Sequence, residues 1–126
     1  MRITEAAGIK KAQAVRSALR KIDLEEVSEA WTTAYSNGRE NGLTINFGLR
    51  GIFSQTLAAT IAENRSSDDY VVYIEKDARY ESHPSEEAYQ NRATFLPGTP
   101  PEHVATWIAG EVHRLAQEAR KRRQES

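Results

Sequence analysis

The side chains that could perform chemistry are few and loosely spaced. His83 lies near Glu86 and Glu87, with Asp77 and Glu81 upstream, a set of donors that could in principle face a divalent cation. His103 and His113 follow ten residues apart, too far along one helix to share a metal. Neither a His-x₃-His nor a His-Glu-x₂-His spacing occurs, so these residues read as a solvated acidic loop and surface histidines. Gly48-Leu-Arg-Gly51 could offer backbone amides to a phosphate, with Arg50 adding charge. It lacks the further glycines and the lysine of the better-defined phosphate loops, and two glycines at a strand end read as a turn. Serine, histidine and acid are all present, but without a Gly-x-Ser-x-Gly turn or any cysteine nucleophile. The expectation is a protein that is not an enzyme and holds no metal and no cofactor.

Charge is the other chemistry on offer. Residues 1–22 carry six bases (Arg2, Lys10, Lys11, Arg16, Arg20, Lys21) against Glu5 alone, a net of +5. Residues 23–90 carry thirteen acids and five bases, a net of −8, and residues 91–126 return to +2. Two basic ends therefore flank an acidic middle. Lys10, Lys11, Arg16, Arg20, Lys21, Arg50, Arg120, Lys121, Arg122 and Arg123 are the candidate contacts to a partner or to phosphate. Such a footprint suits nucleic acid without any motif. It suits equally the acidic middle of a second subunit. The isoelectric point near 6.3 and the lack of interleaved aromatics for stacking weigh against specific nucleic-acid recognition.

These residues need a scaffold, and 126 residues make one domain (1–126), with 1–8 and 120–126 expected to be flexible ends. There is no cysteine, so neither disulfides nor thiolate ligands hold it together. No apolar run approaches the length of a membrane span, and the first eight residues lack the apolar core of a signal peptide. A soluble, cytoplasmic protein without membrane contact is expected.

Ile9, Ala12, Val15, Leu19 and Ile22 recur at helical spacing after Thr4, a plausible N-cap, and predict an amphipathic first helix with a basic outer face. Asp23-Leu-Glu-Glu26 reads as a capping box with Ile22 and Val27 as its hydrophobic staple. Leu24, Val27, Trp31 and Ala34 or Tyr35 continue an apolar face until Asn37-Gly38. This predicts a second helix over about 24–36, and so an N-terminal helical pair. After a turn at 39–42, Leu43–Leu49 alternates as a strand.

Residues 52–63 fit either period. A helix would make strands 43–49 and 70–75 parallel. A strand would make a hairpin across the polar cluster 63–69, and the alternating threonines with no good N-cap favour the hairpin. Tyr70–Glu75 is apolar on both faces, as in an interior strand, and Arg92–Leu96 returns to the sheet after a long charged loop. Thr99-Pro-Pro-Glu102 announces a last helix with a Val104, Ile108, Val112, Leu115, Ala119 stripe flanked by Trp107. The fold class is α+β: a helical pair, a small mainly antiparallel sheet and a long C-terminal helix.

In this order of parts, Gly48-Leu-Arg-Gly51 follows basic amphipathic helices. A strand pair then ends in Val71-Val-Tyr-Ile-Glu-Lys-Asp-Ala-Arg-Tyr80, and Ala93-Thr-Phe-Leu-Pro97 opens a helix rich in Ala, Glu and Arg. Residues 9–123 thereby resemble the tail-completion or minor tail (neck) proteins of long-tailed bacteriophages. The resemblance implies a virion component, made in the host cytoplasm, that works by assembling into a homo-oligomeric ring at the head–tail junction.

Overall fold

A computed structural model describes residues 2–36, 40–64, 70–77 and 89–125. Among them are α1 (Arg2–Leu19), β1 (Val27–Ser36), β2 (Glu40–Leu49), β3 (Ile52–Asn64), β4 (Tyr70–Asp77), β5 (Tyr89–Phe95) and α2 (Pro101–Glu125). The strands form one antiparallel sheet in chain order, β1-β2-β3-β4-β5, so the protein is α+β. The charged segment 78–88, the Asn37-Gly38 stop and most of the polar cluster at 63–69 lie outside the described residues.

Segment 52–64 is a strand, paired antiparallel with β2 (Leu43 opposite Ile61) and with β4 (Ala59 opposite Ile74). The hairpin that the threonines favoured is therefore present. Thr60 faces away from the helices, where its hydroxyl meets that of Thr44 at 2.9 Å across the strands. Arg50-Gly51 closes the β2–β3 turn, with Gly51 at φ 79°, a conformation that costs glycine nothing. At Gly42 the chains approach so closely that a Cβ would collide with the Ile61 carbonyl.

The second N-terminal helix is replaced by β1, which pairs along β2 from Val27 opposite Leu49 to Ser36 opposite Asn41. The capping box forms only a turn, in which the Val27 amide reaches the Leu24 carbonyl at 3.0 Å. Beyond it, Val27, Trp31, Thr32, Thr33 and Tyr35 are all residues that fit a pleated strand, and the open edge of β2 supplies a ladder regular from Glu29 onward. The Glu26 side chain is drawn away from any capping role by His113. Tertiary pairing thus outweighs the local helix signal. Strand β2 also begins at Glu40, within the expected turn, and α1 begins two residues before Thr4.

Both helices lie on one face of the sheet. From α1 the stripe Ala12, Val15 and Leu19 is buried, and from α2 Val104, Ile108, Val112 and Leu115. They pack on Ile45, Phe47, Leu57, Ile61, Val72 and Ile74. Helix α2 starts one residue later than expected: Pro100, not Thr99, gives the carbonyl that the His103 and Val104 amides bond. Its helical backbone continues through Glu125.

Candidate functional site

Contacts along the helices fix how their charges are arranged. Near one end of the sheet, Lys11 of α1 lies 3.5 Å from Glu63 and over the Tyr70 ring, while the Tyr70 hydroxyl donates to the Thr99 carbonyl just before α2. At the other end, the Glu26 carboxylate after α1 meets His113 of α2 at 2.6 Å. The two helices therefore run in the same direction, from the Tyr70 end to the end where Arg50 turns β2 into β3. Arg120 and Lys121 lie seven and eight residues past His113 on α2, a rise of about 10 Å in the same direction.

This geometry sorts the ten basic residues singled out from the sequence. Arg20, Lys21, Arg50, Arg120 and Lys121 are carried to one end of the molecule, where the basic helix C-termini also complement the two helix dipoles. Lys10 is exposed farther back on α1. Lys11 is committed to the interior through Glu63, which is only 5% exposed. Arg50 acts as a clip: its Nε donates to the Glu25 carbonyl at 3.1 Å, its Nη2 to the Val27 carbonyl at 3.3 Å, and its amide to the Glu26 carbonyl at 2.7 Å. Those bonds fix the orientation of the guanidinium, whose charge neutral carbonyls do not cancel. Arg122 and Arg123 lie in the last turns of α2, and their side chains are outside the described residues, as is the His83 cluster.

Arg16 has the most distinctive position. It lines a depression of about 150 Å³ beside α1, floored by Ile45 and Phe47 and walled by Leu19, Ile22 and Leu24. Arg20 lines it too, and Ala30 and Thr32 open it toward the β1 edge. The Nε of Arg16 is buried without a hydrogen-bond partner, an uncompensated donor beside the depression. The depression exists because the two helices pack over β2, β3 and β4 and leave the helix-side face of β1 open. Ala30 and Ala34 on that face are exposed.

At the opposite edge, Leu96 follows β5 with 72% of its surface exposed, and among the described residues it is the one large apolar side chain so placed. Next to it, Phe95 stacks with Tyr70 (5.6 Å between ring centroids) and meets Trp107 edge-on (6.0 Å). The sequence places these residues in the sheet and the helix, and the fold brings them together at the surface. The signal was available in the alternation: with Ala93 and Phe95 facing inward, Leu96 had to face out.

Titration is shifted at a few positions. Burial by itself would raise the Glu26 carboxyl, but hydrogen bonds from its own backbone amide, His113 and Gln117 outweigh burial and hold it below the usual glutamate value. Burial raises the Tyr70 phenol, partly offset by its bond to Thr99. On the outer face of α2, Arg114 bridges Glu111 at 2.7 Å and Glu118 at 3.1 Å, an exposed ladder of small energetic weight. Among the described residues no three His, Asp or Glu side chains converge as a metal site would require. No described helix is long and apolar enough to cross a membrane. No protein-family model, curated protein or solved structure matches the chain.

Proposed function

We propose that this protein is a non-enzymatic assembly component whose copies join head to tail in a closed ring, acting at the head–tail junction of a long-tailed bacteriophage. The observation that carries the reading is the inequality of the two sheet edges. Beside β1 lies an apolar depression bordered by Arg16 and Arg20, and beyond β5 stands an exposed Leu96. A two-fold dimer joins the same patch to itself, whereas unlike patches on opposite sides of one molecule suit heterologous contacts, which make a ring when the rotation between copies closes. The basic ends and acidic middle of the chain serve the same purpose, since opposite charges meet when copies follow one another.

Size-exclusion chromatography with light scattering, across protein and salt concentration, tests this. Oligomers that loosen with salt, or capture of a phage neck component, are the expected result. A species that stays monomeric throughout and ignores neck components overturns the reading.

A second reading rests on the gathering of Arg20, Lys21, Arg120 and Lys121 at one end: a small nucleic-acid-binding regulator. Its signature is affinity for duplex or single strand that falls steeply with salt and drops when these four are neutralised. No binding at low salt disposes of it.

A further inference from the structure

We infer that Leu96 of one copy inserts into the depression between α1 and β1 of the next copy, and that this contact joins the subunits. The inference rests on the assembly reading above and names its contact. Four features of the molecule converge on it.

The first is shape. The depression of about 150 Å³ is walled by Leu19, Ile22 and Leu24 and floored by Phe47, a size and lining that hold a small apolar group. Leu96 is a large apolar side chain with 72% of its surface exposed. The second is position. The depression borders β1 and Leu96 follows β5, the two outer strands of the sheet, so one copy can offer both partners at once without using either twice. The third is polarity. Arg16 and Arg20 line the depression, and the buried Nε of Arg16 has no acceptor. The exposed Glu102 in the first turn of α2, six residues after Leu96, supplies the opposite charge. The fourth is support. Phe95, next to Leu96 in the chain, meets Trp107 edge-on, and both are half-buried, so aromatic surface of the kind that concentrates binding energy at interfaces remains partly uncovered at this end of β5.

A heterologous contact has a property that tests it. The Leu96→Asp variant loses the knob and keeps the depression. Ala30→Trp fills the mouth of the depression and keeps the knob. Both positions are exposed, so neither change disturbs the core, and circular dichroism with thermal melting verifies the fold of each. Light scattering on the full chain is expected to show wild-type oligomers and, for each variant alone, association weakened at least about tenfold. Mixed one to one, the variants form a single productive contact and a one-to-one pair that grows no further. If wild type assembles and either folded variant assembles equally well, the Leu96 contact is wrong and the ring reading stands. Mixed variants that remain monomeric also overturn the contact. Wild type that never associates removes the ring reading and this contact with it.

Discussion

Strands β3 and β1 lie two places apart in the same sheet and live in opposite environments. From Leu57 to Glu63 every residue of β3 is buried, on both faces. On β1, Ser28, Glu29, Ala30, Thr33 and Ala34 are exposed, and Trp31, Thr32 and Tyr35 are only half covered. The cause is the placement of two helices above five strands. The α1 and α2 stripes cover the middle of the sheet and stop short of β1, so the apolar surface of Ile45 and Phe47 is left with a doorway at the edge. Stability is thus concentrated on the β2–β3–β4 centre, and contact capacity is left at the margins. If copies join through these margins, as proposed, the division leaves the joining surface uncovered while the centre carries the stability.

The largest test of this contrast is Gly42→Ala. A Cβ there would collide with the Ile61 carbonyl oxygen, so the β2 and β3 backbones must move apart. A loss on the order of 4 kcal/mol is expected in urea unfolding, well outside the ordinary range for an alanine substitution. A near-neutral result would mean that the centre is not closely packed at that point.

Next in size is Lys11→Ala. Glu63 would remain 5% exposed with its charge unpaired, and its Oε2 already lacks a partner. Lys11 is 29% exposed, which screens the pair, so a loss of about 2 kcal/mol is expected instead of the full cost of breaking a buried pair. Restoration by Lys11→Ala combined with Glu63→Gln, measured as a double-mutant cycle, would show that the stranded carboxylate is the cause.

The Glu26 contact joins the start of β1 to α2 and makes stability depend on pH. Its folded-state carboxyl titrates below the ordinary value of 4.5, so its contribution is complete above that value and is lost as pH falls through the lower, folded one. Wild type should therefore lose more stability on acidification than Glu26→Gln does. Parallel curves for the two proteins would show that the His113 contact does not hold in solution.

Smallest of all is Thr33→Ala on the exposed stretch of β1, expected to change stability by less than about 0.5 kcal/mol. A loss comparable with that at Gly42 would erase the distinction between centre and edge.

The same distinction explains which elements could be recognised beforehand. The stripes Ala12, Val15, Leu19 and Val104, Ile108, Val112 were legible because a buried helical face imposes its period directly on the sequence. Strand β4 was legible because Tyr70, Val72, Ile74 and Val71 leave no polar face for a helix to turn outward. In β1 the local signs and the final state disagree. Asp23-Leu-Glu-Glu26 supplies a helix start, but an open β2 edge offers a ladder to a segment in which Val27, Trp31, Thr32, Thr33 and Tyr35 are already β-prone. Arg16 was singled out for its charge, whereas its significance lies in a buried Nε beside an apolar depression. Leu96 was assigned to a strand end although its alternation placed it outside.

By itself, then, the sequence determined the two amphipathic helices, the alternation of β2, the two-faced apolar run of β4, and a charge layout of basic ends around an acidic middle. These are written in spacing and composition, which do not depend on what lies across the fold. The tertiary structure alone decided that residues 27–36 extend along β2, that Lys11 and Arg50 are tied to the protein's own atoms, and that a basic-rimmed depression and an exposed leucine stand at opposite edges. Each of those outcomes depends on partners distant in the chain, and local propensity, worth only tenths of a kcal/mol per residue, yields to them.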